Sequence, residues 1–105
     1  MPIADVYIRP RAYQDITQHV DYLATVNHNA AERFIATLEE TLGILARMPE
    51  MGSPRVFRNP ALKKLRMWPL KGFEKYLIFY RPYRRGIDVV RVIHAPQDYL
   101  RILGK

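Results

Sequence analysis

The chain has 105 residues, nearly half of them apolar, and a formal net charge of +7. That length suits one compact domain spanning residues 1–105 and is too short for two, while the apolar content argues against intrinsic disorder. Cysteine is absent, which excludes disulfides, thiolate metal sites and cysteine nucleophiles and makes the cytoplasm the expected compartment.

In chain order, Val6 and Ile8 alternate with Tyr7 in a short strand over Asp5 to Arg9, ended by Pro10, which fixes its own backbone and suits a first helical turn. Ala12, Ile16, Val20 and Leu23 recur at steps of three or four and predict an amphipathic helix to about Thr25. The Asn27-His28-Asn29 stretch breaks the period. Asn29 followed by Glu32 has capping-box spacing, and a second helix follows through Phe34, Ile35, Leu38, Leu42 and Leu45 to Met48-Pro49, with Gly52 marking the turn. The short break makes the pair an antiparallel helix hairpin whose apolar stripes need a further surface. Leu62 to Leu70, Tyr76 to Arg81 and Ile87 to His94 supply it as three strands, the last two joined through Pro82-Tyr83-Arg84-Arg85-Gly86 and therefore antiparallel. Asp98 to Leu103 reads as a last helical turn or return segment. The class is α+β. No apolar run spans a bilayer and the first residues do not form a signal peptide.

Charge is divided unequally: residues 1–52 hold four basic and seven acidic side chains, residues 53–105 thirteen basic and three acidic. A basic half of this kind meets nucleic acid, ribosomes or acidic protein segments. The candidate binding residues for a target or partner are Arg66, Trp68, Lys71, Arg81, Arg84, Arg85 and Arg91, with Lys63, Lys64 and Lys75 beside them, gathered on one face of the sheet or divided between two. On a regular strand Arg91 and His94 point to opposite faces. His94 is the one histidine of the basic half, either an acid–base group or a structural strand-end residue. Tyr76, Tyr80, Tyr83 and Tyr99 either stack on bases or pack. His19 and His28 read as core or solvent residues, and Asp15, Glu39 and Glu40 as solvated helix faces. Gly-rich phosphate loops, Ser-His-Asp arrangements, paired carboxylates and metal-ligand clusters are missing from the sequence, so no cofactor and no metal are expected.

The order of elements, Ala30-Ala31-Glu32-Arg33-Phe34 opening the second helix, Met48-Pro49-Glu50-Met51-Gly52, Leu65-Arg66, the run Gly72 to Arg81 and the run Val90 to Tyr99 together resemble the RelE/ParE superfamily of type II toxin–antitoxin systems, nearest to ParE, the plasmid stabilisation proteins. Gln97 departs from the arginine often found before the aspartate of the last motif. The resemblance implies a growth-inhibiting bacterial toxin, neutralised by a cognate ParD-like antitoxin in a hetero-oligomer that represses its own operon. ParE-like members are associated with DNA gyrase, and RelE-like members cut messenger RNA in the ribosome. For a ribonuclease the set here would be Arg66, Arg81, His94 and Tyr99, a loose imitation, so the resemblance favours a non-nucleolytic gyrase inhibitor with no catalytic residue. A small basic RNA-binding module is the non-toxin alternative.

Overall fold

The computed structural model describes residues 5–56 and 59–95. Strand β1 (Asp5–Ile8) leads into helices α1 (Pro10–Val26) and α2 (His28–Arg47), followed by strands β2 (Ser53–Pro54), β3 (Arg66–Leu70), β4 (Phe73–Tyr83) and β5 (Gly86–His94). Single 3₁₀ turns lie at Pro49–Met51 and Pro60–Leu62. The strands form one mixed sheet in the order β1-β5-β4-β3-β2.

The expected helix hairpin and antiparallel strands are present, and the sheet is larger than the three strands expected. β1 joins as a parallel edge strand on β5, Asp5 opposite Gly86 and Ile8 opposite Val89. A Cβ at Gly86 would strike the Asp5 backbone, so only glycine lets the two chains approach there. On the other edge β2 adds two residues against Met67 and Arg66. The strand expected from Leu62 begins only at Arg66, because Leu62 closes a 3₁₀ turn and Lys64 takes a positive φ of 65°. β4 is longer than expected at both ends. Gly72, at φ 83°, makes its first turn tight, the Gly72 N–H donates to Glu74 Oε2 at 2.7 Å, and that bond holds the Glu74 carboxyl below its usual range. At the other end Tyr83 already pairs with Gly86, which leaves Arg84 and Arg85 alone as the turn.

Helix ends follow local chemistry with one shift. The α2 cap is Asn27 and not Asn29: its side chain accepts the backbone N–H groups of Asn29 and Ala30. Glu32 instead meets His28, one turn before it, at 3.3 Å.

One face of the sheet takes both helices. Phe34, Leu38, Leu42 and Leu45 of α2 and Ala12 of α1 are buried against Leu70, Tyr76, Ile78, Tyr80, Ile87, Val89 and Val92. Phe34 is fully buried and meets Phe73 and Tyr76 edge to face at 5.4 and 5.1 Å; burying such a side chain stabilises by about 1.5–3 kcal/mol. The opposite face holds a second cluster, Leu62, Leu65, Leu77, Phe79, Val90 and Ile93. Because both faces are apolar at mid-strand, Tyr76–Tyr80 is continuously buried; so is Gly86–Val90, where the carboxylate of Asp88 is paired with arginines. The cations of the basic half are thereby displaced to strand ends, turns and edges.

Candidate functional site

Beyond Val89, β1 has turned away into α1 and the outer edge of β5 is bare of a strand partner. Two side chains one turn apart on α1 take its place. Asp15 Oδ2 accepts the Val92 N–H at 3.1 Å, and His19 Nε2 bonds the Val92 carbonyl at 2.8 Å. Asp15 also receives Nε and Nη2 of Arg91 at 2.6 and 2.9 Å. It is 3% exposed, so its expected place on a solvated face is corrected: a carboxylate buried this deeply persists because it is paired and fully hydrogen-bonded.

From Arg91, opposite Phe79, to His94, opposite Tyr76, the strand alternates regularly and puts the two on opposite faces as expected; the alternation fails just before Arg91. Phe79 pairs with Arg91 and Tyr80 with Val89, leaving Val90 as an extra residue in a bulge. Val90 therefore belongs to the cluster on the open face, while Val92 and His94 both face the helix side. Arg91 is spent on Asp15. His94 pairs with Tyr76 across the strands, stacks on its ring at 4.5 Å, and sits near His19 and Lys75. Burial first, then those two neighbours, lowers its pKa from the ordinary 6.5.

Arg66 is also committed to structure. Its Nη1 donates to the carbonyls of Glu50 and Gly52 at 3.1 and 2.6 Å, while the Tyr80 hydroxyl accepts from Gly52 N–H and donates to Pro49 O, both at 2.7 Å. These bonds pin the segment after α2 to the sheet, and a Cβ at Gly52 would collide with Tyr80. Tyr76 and Tyr80 are core residues, and burial raises the pKa of both phenols.

Arg81 lies on the face away from the helices, its Nε on Asp88 Oδ2 at 3.1 Å; Arg9 meets the same carboxylate with Nε and Nη2, the closest contact being 2.9 Å. That bond outweighs partial burial and raises the Arg9 pKa. At the neighbouring turn Arg84 lies over the Tyr83 ring, 5.2 Å from its centroid, and Tyr7 meets Tyr83 edge to face at 5.2 Å. Arg85 is exposed beside them. Trp68 and Lys71 are elsewhere, lining with Thr41, Ile44 and Met51 a groove of about 370 Å³ between α2 and β3.

The basic residues are thus divided between both faces. Arg66 pairs with Tyr80 and His94 with Tyr76 on the helix side, four positions or about 13 Å apart along the strands at ~3.3 Å per residue and two strands apart across the sheet. Arg81 is on the other side, and Tyr99 lies outside the described residues, as do Gln97 and the expected segment Asp98 to Leu103. Sequence reading passed over Tyr7 and Arg9, whose signal was only an arginine at a strand–helix junction, and Arg55, an exposed residue just after β2. No group of metal-ligating side chains occurs among the described residues, and none of their helices is long and apolar enough to cross a membrane.

A helix hairpin laid on one face of a five-stranded mixed sheet, with cations at the sheet's ends, defines a small basic α+β protein of the RelE/ParE-like fold. The structure titled "Chromosomal ParDE TA system from P. aeruginosa" has the same fold, with a TM-score of 0.69 at 15% identity, covering 88% of this chain and 96% of that one. The family described as "ParE toxin of type II toxin-antitoxin system, parDE" matches residues 6–99; the chain belongs to the ParE toxin family. No curated protein matches it.

Proposed function

We propose that this chain arrests bacterial growth by acting on DNA gyrase in the cytoplasm, without cleaving RNA, and that a ParD-like antitoxin neutralises it by folding over its surface. The observation that carries the non-nucleolytic reading is the dispersal of Arg66, Arg81 and His94. A general acid–base residue must lie within hydrogen-bond reach of the atoms it serves, and cations that stabilise a developing phosphorane must converge on it. Here Arg66 holds two backbone carbonyls, Arg81 shares Asp88 on the opposite face, and His94 is stacked on Tyr76.

The antitoxin reading rests on family membership and on surface chemistry. The groove between α2 and β3 offers Ile44, Met51 and Trp68 as apolar contacts with Lys71 at its rim. A disordered acidic-apolar segment gains apolar burial there, where Glu40 offsets Lys71, and Coulomb attraction from the basic half, while losing chain entropy. In this reading Trp68 and Lys71 serve the antitoxin.

The test is a pulse of expression in a bacterial host, following labelled thymidine and labelled methionine side by side. The expected result is early loss of DNA synthesis with an induced DNA-damage response, relieved by co-expressing the antitoxin. Early loss of protein synthesis with cut messages overturns the gyrase reading in favour of a ribosome-dependent nuclease.

A further inference from the structure

Two non-glycine residues have positive φ among the described residues, Lys64 at 65° and Arg84 at 53°, and both are cations at the same end of the sheet. Lys64 lines a concavity of about 310 Å³ with Arg55, Arg66 and Pro82, and Arg84 turns the chain two residues beyond Pro82. Left-handed backbone suits glycine, and asparagine or aspartate after it; a two-residue hairpin turn takes those residues by preference. Arginine and lysine at these positions go against local backbone preference, and an outlier of this kind points to function. Their charge is what they contribute.

The neighbouring cations continue the pattern. Among the described residues Arg81 gives Asp88 only its Nε, so both terminal nitrogens are uncommitted, and Arg9 keeps Nη1. Their side chains are 34% and 38% exposed. Six cations, Arg9, Arg55, Lys64, Arg81, Arg84 and Arg85, thus stand against the carboxylates of Asp5 and Asp88. The stripe crosses β3, β4, β5 and β1, three strand steps or about 14 Å at ~4.8 Å each, the rise of about four phosphates along one DNA strand at ~3.4 Å each. The exposed rings of Tyr7 and Tyr83 are engaged with each other and with Arg84. They orient the guanidinium and are not a free platform for unpaired bases, so the chemistry is that of a duplex backbone.

We infer that the β4–β5 hairpin end, from Lys64 across Arg81 and Arg84 to Arg9, is a sequence-independent binding surface for the phosphate backbone of duplex DNA. The test is anisotropy of a labelled 20-base-pair duplex with the purified full chain, between 50 and 200 mM salt, against Arg84→Gly/Arg85→Ser and Lys64→Gly. Glycine fits the positive φ, so both variants are expected to match or exceed the parent in urea midpoint while binding DNA more weakly. Each lost phosphate contact lowers the slope of log K against log salt by about 0.9. For the double variant the slope falls by about 1.8, making its affinity loss across this fourfold salt range about 12-fold smaller than the parent's. Unchanged affinity and slope in both variants overturn the surface. So does preferential binding of poly-glutamate with no binding of duplex, which assigns the stripe to an acidic protein segment. Either result leaves the gyrase reading standing, because thymidine incorporation is scored separately.

Discussion

Replacing Asp15 by alanine tests how α1 is fastened to the sheet. The carboxylate is 3% exposed and accepts three N–H groups, two from Arg91 and one from Val92. Without it the Arg91 guanidinium, whose side chain is 14% exposed, keeps its charge in a poorly solvated place, and the Val92 amide loses its acceptor. Breaking one side of a buried pair costs about 3–5 kcal/mol, most of it from the stranded partner. Against a total stability of about 5–15 kcal/mol for a domain, that is a large fraction. Urea unfolding followed by circular dichroism should show the midpoint fall with little change in slope. Asp15→Leu combined with Arg91→Met removes both charges and should recover most of the loss. A cost for Asp15→Ala below about 1 kcal/mol, the level of an exposed ion pair, would refute the reasoning.

Tyr80→Phe leaves the Gly52 N–H and the Pro49 carbonyl without their shared hydroxyl and should destabilise by about 1–3 kcal/mol in the same assay. Asn27→Ala removes the cap that accepts two α2 amides and should cost about 1 kcal/mol, with faster hydrogen exchange at Asn29 and Ala30. His94 faces Tyr76 and Lys75 of β4 and His19 of α1. Its pKa is lower in the folded state than in the unfolded chain, so the unfolded chain binds more protons as pH falls below about 6.5. The stability tied to neutral His94 is complete above that pH and is lost as pH falls through the folded value. The thermal midpoint should therefore fall more steeply between pH 7.5 and 5.5 in the parent than in His94→Gln, and equal slopes would sink the assignment.

Much of the site was hidden from the sequence because the same residue type serves opposite ends. Arg66, Arg81 and Arg91 look alike in the chain, yet one holds carbonyls, one shares a carboxylate and one neutralises a buried aspartate. Asp15 sits among polar residues on α1 and reads as solvated until its partner is known. Asp15 and His19 are one helical turn apart and share a face, but nothing near them in the chain names Val92 as what they meet. Arg84 and Arg85 were legible as a turn because Gly86 and the flanking β-rich runs bracket them.

By itself the sequence determined both helices, the break at Asn27, the stop at Met48-Pro49, the β4–β5 hairpin and the lopsided charge. Each is set by side-chain period, proline and glycine backbone limits or composition, which act over a few residues. Only the tertiary structure decided that β1 lies parallel to β5, that a bulge at Val90 turns the end of that strand, and that Asp15 closes its edge. Those features join residues distant in the chain, Asp5 with Gly86 and, 77 positions apart, Asp15 with Val92. Pairing at that distance depends on which surfaces collapse together, and the residues at either end carry no local mark of it.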